Sequence, residues 1–124
     1  MKYERFEELP VWQAAADLAV QIFAWSSHAW FRGKGDLGNQ LQRSALSISN
    51  NIAEGFERGR ASEFHQFLSI AKGSCAELRS QLYVALDADY IPQPRFDHLM
   101  AMATEVGLVV GGLRLSVEKR KAAH

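Results

Sequence analysis

The sequence predicts an all-α protein, an antiparallel up-and-down four-helix bundle. Three observations carry that expectation. Four segments place apolar residues at alternating spacings of four and three, the seam of helices packed nearly parallel in a bundle. The breaks between the segments are short, which favours antiparallel neighbours. The chain has 124 residues, a length that suits one core, so residues 1–124 are expected to form a single four-helix-bundle domain.

The first helix is read from Val11, Ala15, Leu18, Ile22, Trp25 and Ala29. Gly33 and Gly35 end that stretch, and Asp36 offers an N-cap for the second helix. The second seam is less regular, with Leu37, Leu41, Ala45, Ile48, Ile52 and Phe56 on one side. Gly59 breaks the chain again before Ser62, a second N-cap candidate. The third seam is Phe64, Leu68, Ala71, Cys75, Leu78, Leu82 and Ala85. Asp89, Pro92 and Pro94 then form a stop, and Pro94 suits the first turn of a fourth helix, where its missing N–H has no intrahelical partner to lose. The fourth seam is Leu99, Ala103, Val106, Val110, Leu113 and Val117. Within it, Ala103, Gly107 and Gly111 leave a groove that a neighbouring helix can approach closely, with Gly73 as the expected counterpart.

Apolar residues make up 48% of the chain and charged residues 23%, ordinary globular usage with no disorder-prone tract. Fourteen Lys and Arg balance fourteen Asp and Glu, so any attraction for a polyanion must come from local patches rather than from net charge. The balance is uneven, because residues 1–31 and 61–89 are each net acidic whereas 32–60 and 90–124 are each net basic. The single cysteine, Cys75, lies at a core position and reads as a buried structural thiol. The first ten residues lack the apolar stretch of a signal peptide, and nowhere do eighteen apolar residues run together. A cytoplasmic protein without a membrane partner is expected.

Catalytic and metal signals are poor. His28, His65, His98 and His124 are scattered and form no HExxH or dense Cys/His spacing. Glu54, Glu77 and Glu105 lie on different helices, but the Glu-x-x-His pairs of di-iron bundles are absent. Gly33-Lys34-Gly35 matches no phosphate-binding loop. No catalytic residue, metal ligand or cofactor site is assigned, and a non-enzymatic role is expected.

Three surface features remain. A second apolar row on the first helix, Trp12, Ala16, Ala19, Phe23 and Trp30, widens its apolar arc to about 200°, roughly twice what a surface helix needs. Either the core wraps this helix deeply, or the row is a subunit interface. On the second helix, Gln40, Arg43, Ser47, Asn50, Asn51, Glu54 and Arg58 form a polar stripe in which Ser and Asn give up helix propensity. The stripe serves either side-chain bonds between helices or subunits, with Glu54 and Arg58 as an i,i+4 pair, or recognition of a polar partner, an RNA backbone included. Arg58 and Arg60 beside the second break, and Lys119, Arg120 and Lys121 near the C-terminus, should share one end of the bundle. They either answer the helix dipoles or make a basic surface.

The segment Arg43-Ser44-Ala45-Leu46-Ser47-Ile48-Ser49-Asn50-Asn51-Ile52-Ala53-Glu54-Gly55-Phe56 resembles a bacterial four-helix-bundle family. That family includes the protein encoded in 23S ribosomal RNA intervening sequences and the accessory variability protein of diversity-generating retroelements. Further matches are Phe6, Leu9, Val11-Trp12, Ala15, Glu63-Phe64, Phe67-Leu68, Ala71, Gly73-Ser74, Glu77-Leu78, Tyr90-Ile91 and Gly107, so the resemblance spans nearly the whole chain. It implies a homopentamer of bundles that binds RNA or DNA or partners a reverse transcriptase. The expected function is thus a self-assembling bundle offering Arg43, Asn50, Asn51, Arg58, Arg60, Lys119, Arg120 and Lys121 to a macromolecular partner such as structured RNA. The alternative is a protein-interaction scaffold or polymerase accessory that never touches nucleic acid.

Overall fold

The computed structural model describes residues 2–27 and 36–123, with side chains as far as residue 120. Four helices follow a short 3-10 turn at Phe6–Glu8: α1 (Pro10–Ser26), α2 (Leu37–Glu57), α3 (Ala61–Asp87) and α4 (Gln93–Ala123). They form an all-α bundle in which α2 lies between α1 and α3, α3 packs on α4, and α1 touches α4 more lightly.

Side-chain register shows the antiparallel arrangement directly. Ser44 and Ser47 of α2 face Glu77 and Ser74 of α3, and Gly55 faces Phe67 and Phe64. Each step up α2 is a step down α3. The same holds for α3 and α4, where Gly107, Gly111, Arg114 and Glu118 meet Cys75, Lys72, Ser69 and His65 in turn. Consequently α2 and α4 run the same way and end at the same end of the bundle.

The seams are the core. All seven apolar seam positions of α3 are buried, as are Val11, Ala15, Leu18, Ile22 and Trp25 of α1. In α4 the seam is buried except Leu113, which packs against the core from a half-exposed position. Leu9 and Ile91 close the core from the connecting segments, and Phe96 from the first turn of α4. Trp12 is half-buried, with Phe6 edge-on to its ring at 5.2 Å.

Two local expectations need correction. α3 starts at Ala61 with Arg60 as its N-cap residue, so Ser62 lies inside the first turn rather than capping it. Gly73 is exposed and has no atom within 4 Å of an added Cβ; the glycine side of α4 instead meets Cys75, whose Cβ would stand 3.6 Å from a Cβ on Gly107. Asp36 holds the N-cap position of α2, but its carboxylate accepts from the Asn39 side chain at 2.9 Å rather than from a backbone N–H.

Helix ends are closed by left-handed residues. Gly59 has φ +78° after α2, where glycine bears no steric penalty. After α3 the same role falls to Asp89, with φ +60°. The Tyr90 and Asp89 N–H groups donate back to the Ala85 and Leu86 carbonyls, the paired bonds of a Schellman end. Asp89→Gly is therefore expected to stabilise the fold by about 1 kcal/mol. Thermal denaturation reads the change, and a midpoint that fails to rise would mean that Asp89 carries no backbone strain.

Candidate partner-binding cleft

The end shared by α2, the start of α3 and the end of α4 contains an open cleft of about 610 Å³, lined among others by Phe56, Glu57, Arg60, Phe64 and Arg120. Glu4 reaches it from the N-terminal segment, which is pinned because the Glu8 carboxylate accepts the Glu4 and Arg5 backbone N–H groups at 2.9 and 2.8 Å. Those bonds, from Arg5 first and then Glu4, hold the exposed Glu8 carboxyl below its ordinary pKa.

The two basic clusters meet here, but their members differ. Arg60 and Arg120 line one cleft although sixty positions separate them in sequence. Arg60 has one ion pair, to Glu63 at 4.0 Å, and Arg120 forms none among the described residues, although Glu4 and Glu57 line the same cleft. Arg58, by contrast, is held by Glu54 at 3.0 Å and Glu63 at 3.7 Å and lies over the Phe67 ring at 5.2 Å. It is committed to its own chain. Lys119 is exposed and outside the cleft lining, and the Lys121 side chain lies outside the described residues.

The polar stripe of α2 divides in two. Ser44 Oγ donates to Glu77 Oε1 at 2.7 Å, and the Ser47 and Ser74 hydroxyls share a bond of 2.7 Å. Gln42 donates to Ser26 Oγ of α1 at 2.8 Å. α2 is thereby fastened to both neighbours, and the lost helix propensity is offset by bonds that the seam alone does not provide. Asn51 donates to the Ser47 carbonyl at 2.7 Å and so supports this fastening from within α2. Arg43 and Asn50 remain exposed, with Leu46 between them. Arg43 stands fourteen residues before the end of α2, about 21 Å along the helix axis, so it does not join the cleft.

Apolar surface is not confined to the α1 row. Ala19 is 4% exposed and belongs to the core, Trp12, Ala16 and Phe23 are half-buried, and Trp30 lies outside the described residues. The larger apolar exposure is on α4, where Leu108 is 68% and Leu115 55% exposed. Ile70, Tyr83 and Val84 of α3 and Val20 of α1 are exposed as well. α4 is long and apolar enough over Gln93–Arg120 to cross a membrane by length and composition, although its inner face forms part of the bundle core.

Among the described residues no group of three His, Cys, Asp or Glu side chains is placed to hold a metal ion. Cys75 is buried, and burial pushes its thiol up to about 11 against weaker opposite pulls from Lys72 and Arg79. It stays protonated at neutral pH, a poor nucleophile. Sequence reading missed the contributions of Glu4 and Glu57, and it assigned Phe56 wholly to the core seam although it is half-exposed at the cleft.

A family model described as 23S rRNA-intervening sequence protein matches residues 7–112. Among solved structures, a protein of unknown function from the S23 ribosomal protein family of Bacteroides thetaiotaomicron has the same fold. Its TM-score is 0.78 at 22% identity, over 84% of this chain and 97% of that one. No curated protein matches the chain.

Proposed function

The chain belongs to the 23S rRNA-intervening sequence protein family, and from that premise we propose a non-enzymatic, self-assembling bundle, a homopentamer, that binds structured RNA in the cytoplasm. The observation that carries the RNA reading is the meeting of Arg60 and Arg120 at one cleft with no ion pair closer than the 4.0 Å between Arg60 and Glu63. A guanidinium not consumed by its own chain is available to a phosphate, and it supplies a planar fork of donors. The neutral chain concentrates this capacity at one end, and a ring of subunits repeats it.

Arg60→Glu combined with Arg120→Glu is expected to weaken RNA binding and flatten its dependence on salt, since each lost phosphate contact lowers the slope by about one. Arg58→Glu is expected to act mainly on stability, because it breaks contacts within the chain. Anisotropy titrations from 50 to 200 mM salt measure the binding of both variants, and thermal melts measure their stability. Wild-type protein that shows no affinity for RNA at low salt ends this reading, and a partner recovered from cells equally well after nuclease treatment identifies a protein scaffold instead.

A further inference from the structure

We propose that the end cleft takes one unpaired nucleotide of a single-stranded stretch of RNA, with the base against Phe56 and the phosphate between Arg60 and Arg120. The proposal rests on the RNA reading above and specifies what the cleft selects. A volume of about 610 Å³ lies within the range of small-ligand sites, roughly 300–1,000 Å³.

The lining has two parts. Its apolar part is Gly55, Ala61, Phe56 and the buried Phe64, and the two rings stand edge-to-face at 5.9 Å. Phe64 thereby braces Phe56, which remains half-exposed toward the cleft. A braced aromatic ring is a stacking platform for any base. The polar part carries both signs: Arg60 and Arg120 against Glu4 and Glu57.

That mixture discriminates between ligand classes. A simple anion would be attracted by two guanidiniums and repelled by two carboxylates, and a wholly apolar ligand would leave all four charges without compensation. A nucleotide answers both signs. Its phosphate accepts from arginine, and its ribose hydroxyls and base N–H groups donate to carboxylates. The start of α3 adds to the phosphate side. Arg60 occupies the N-cap position, and its guanidinium has no acceptor with which to cap the first-turn N–H groups beside the cleft. Bases paired in a duplex are not accessible to such a site, whereas those in loops, bulges and ends are.

The test compares binding of a fluorescent twelve-nucleotide single strand and a blunt duplex of the same length to the full chain at low salt, with adenosine monophosphate and free phenylalanine as competitors. The single strand is expected to bind more tightly, and the monophosphate alone to displace it. Phe56→Leu keeps an apolar side chain but removes the ring, so it should weaken single-strand binding about tenfold and leave duplex binding unchanged. Arg120→Glu, at an exposed position, should abolish displacement by the monophosphate, which keeps the test independent of whether Phe56→Leu folds. Equal binding of both forms with no effect of either substitution overturns the nucleotide site and leaves the RNA reading standing. Displacement by phenylalanine as effective as by the monophosphate overturns the ligand class. Binding of neither form ends both readings together.

Discussion

Gly55→Ala is expected to destabilise the bundle by about 1–3 kcal/mol, despite replacing the second-poorest helix former with the best one. A Cβ on residue 55 would stand 2.6 Å from the Phe67 Cβ and 3.1 Å from Phe64 Cδ1. The first of these atoms is fixed to the α3 backbone, so no rotamer change relieves the contact. Either α3 moves away or the local helix distorts, and both disturb the pairing of Phe56 with Phe64 in the cleft lining. Gly73→Ala is the internal control, because its added Cβ meets nothing within 4 Å. There the propensity gain of about 1 kcal/mol should appear unopposed. Parallel thermal melts decide the matter: midpoints that rise together would mean that α2 and α3 are not in contact at Gly55.

This pair of glycines also marks the boundary of what sequence reading can recover. The seams needed only spacing, since burying an apolar row every three and four residues is a property of one helix at a time. The positions of Phe64, Leu68, Ala71, Cys75, Leu78, Leu82 and Ala85 were legible for that reason, and all are buried. The role of a glycine depends on the neighbouring helix, and so does the role of a serine. Ser47 stood out in composition, but its partner Ser74 is 27 residues away, and Ser44, bonded to Glu77, was not singled out at all. The i,i+4 spacing already offered Glu54 to Arg58, but the second contact of Arg58, to Glu63 on the next helix, and the longer one of Arg60 to the same carboxylate came from packing. At the cleft, Arg60 and Arg120 were placed at one end by topology alone. Glu4 and the open edge of Phe56 followed from packing that no periodicity encodes.

The second large effect concerns assembly. Leu108→Glu with Leu115→Glu is expected to convert the proposed homopentamer into single chains of 13.9 kDa that stay folded, the melting temperature falling only by what assembly supplied. Both side chains are mostly exposed within one chain, so the bundle loses little when they become charged. Seven residues apart, they lie on one face of α4, and Gly112 between them has no neighbour within 4 Å of an added Cβ. The face is apolar, shallow and long enough for another helix. Burying each leucine in an interface contributes about 1.5–3 kcal/mol, whereas an unpaired carboxylate there opposes association. A five-membered ring requires a head-to-tail contact, in which this face meets a different one on the next subunit. The α1 face is the expected complement: Val20 is 62% exposed, and Trp12, Ala16 and Phe23 are half-buried on the same helix. Val20→Glu should therefore also yield single chains. Each variant retains one intact face, so mixing the two should restore a dimer and nothing larger. Native mass spectrometry distinguishes the outcomes. If the mixture stays monomeric, the two faces do not meet, and a Val20→Glu variant that still dimerises on its own means that the α4 patch pairs with its own copy instead.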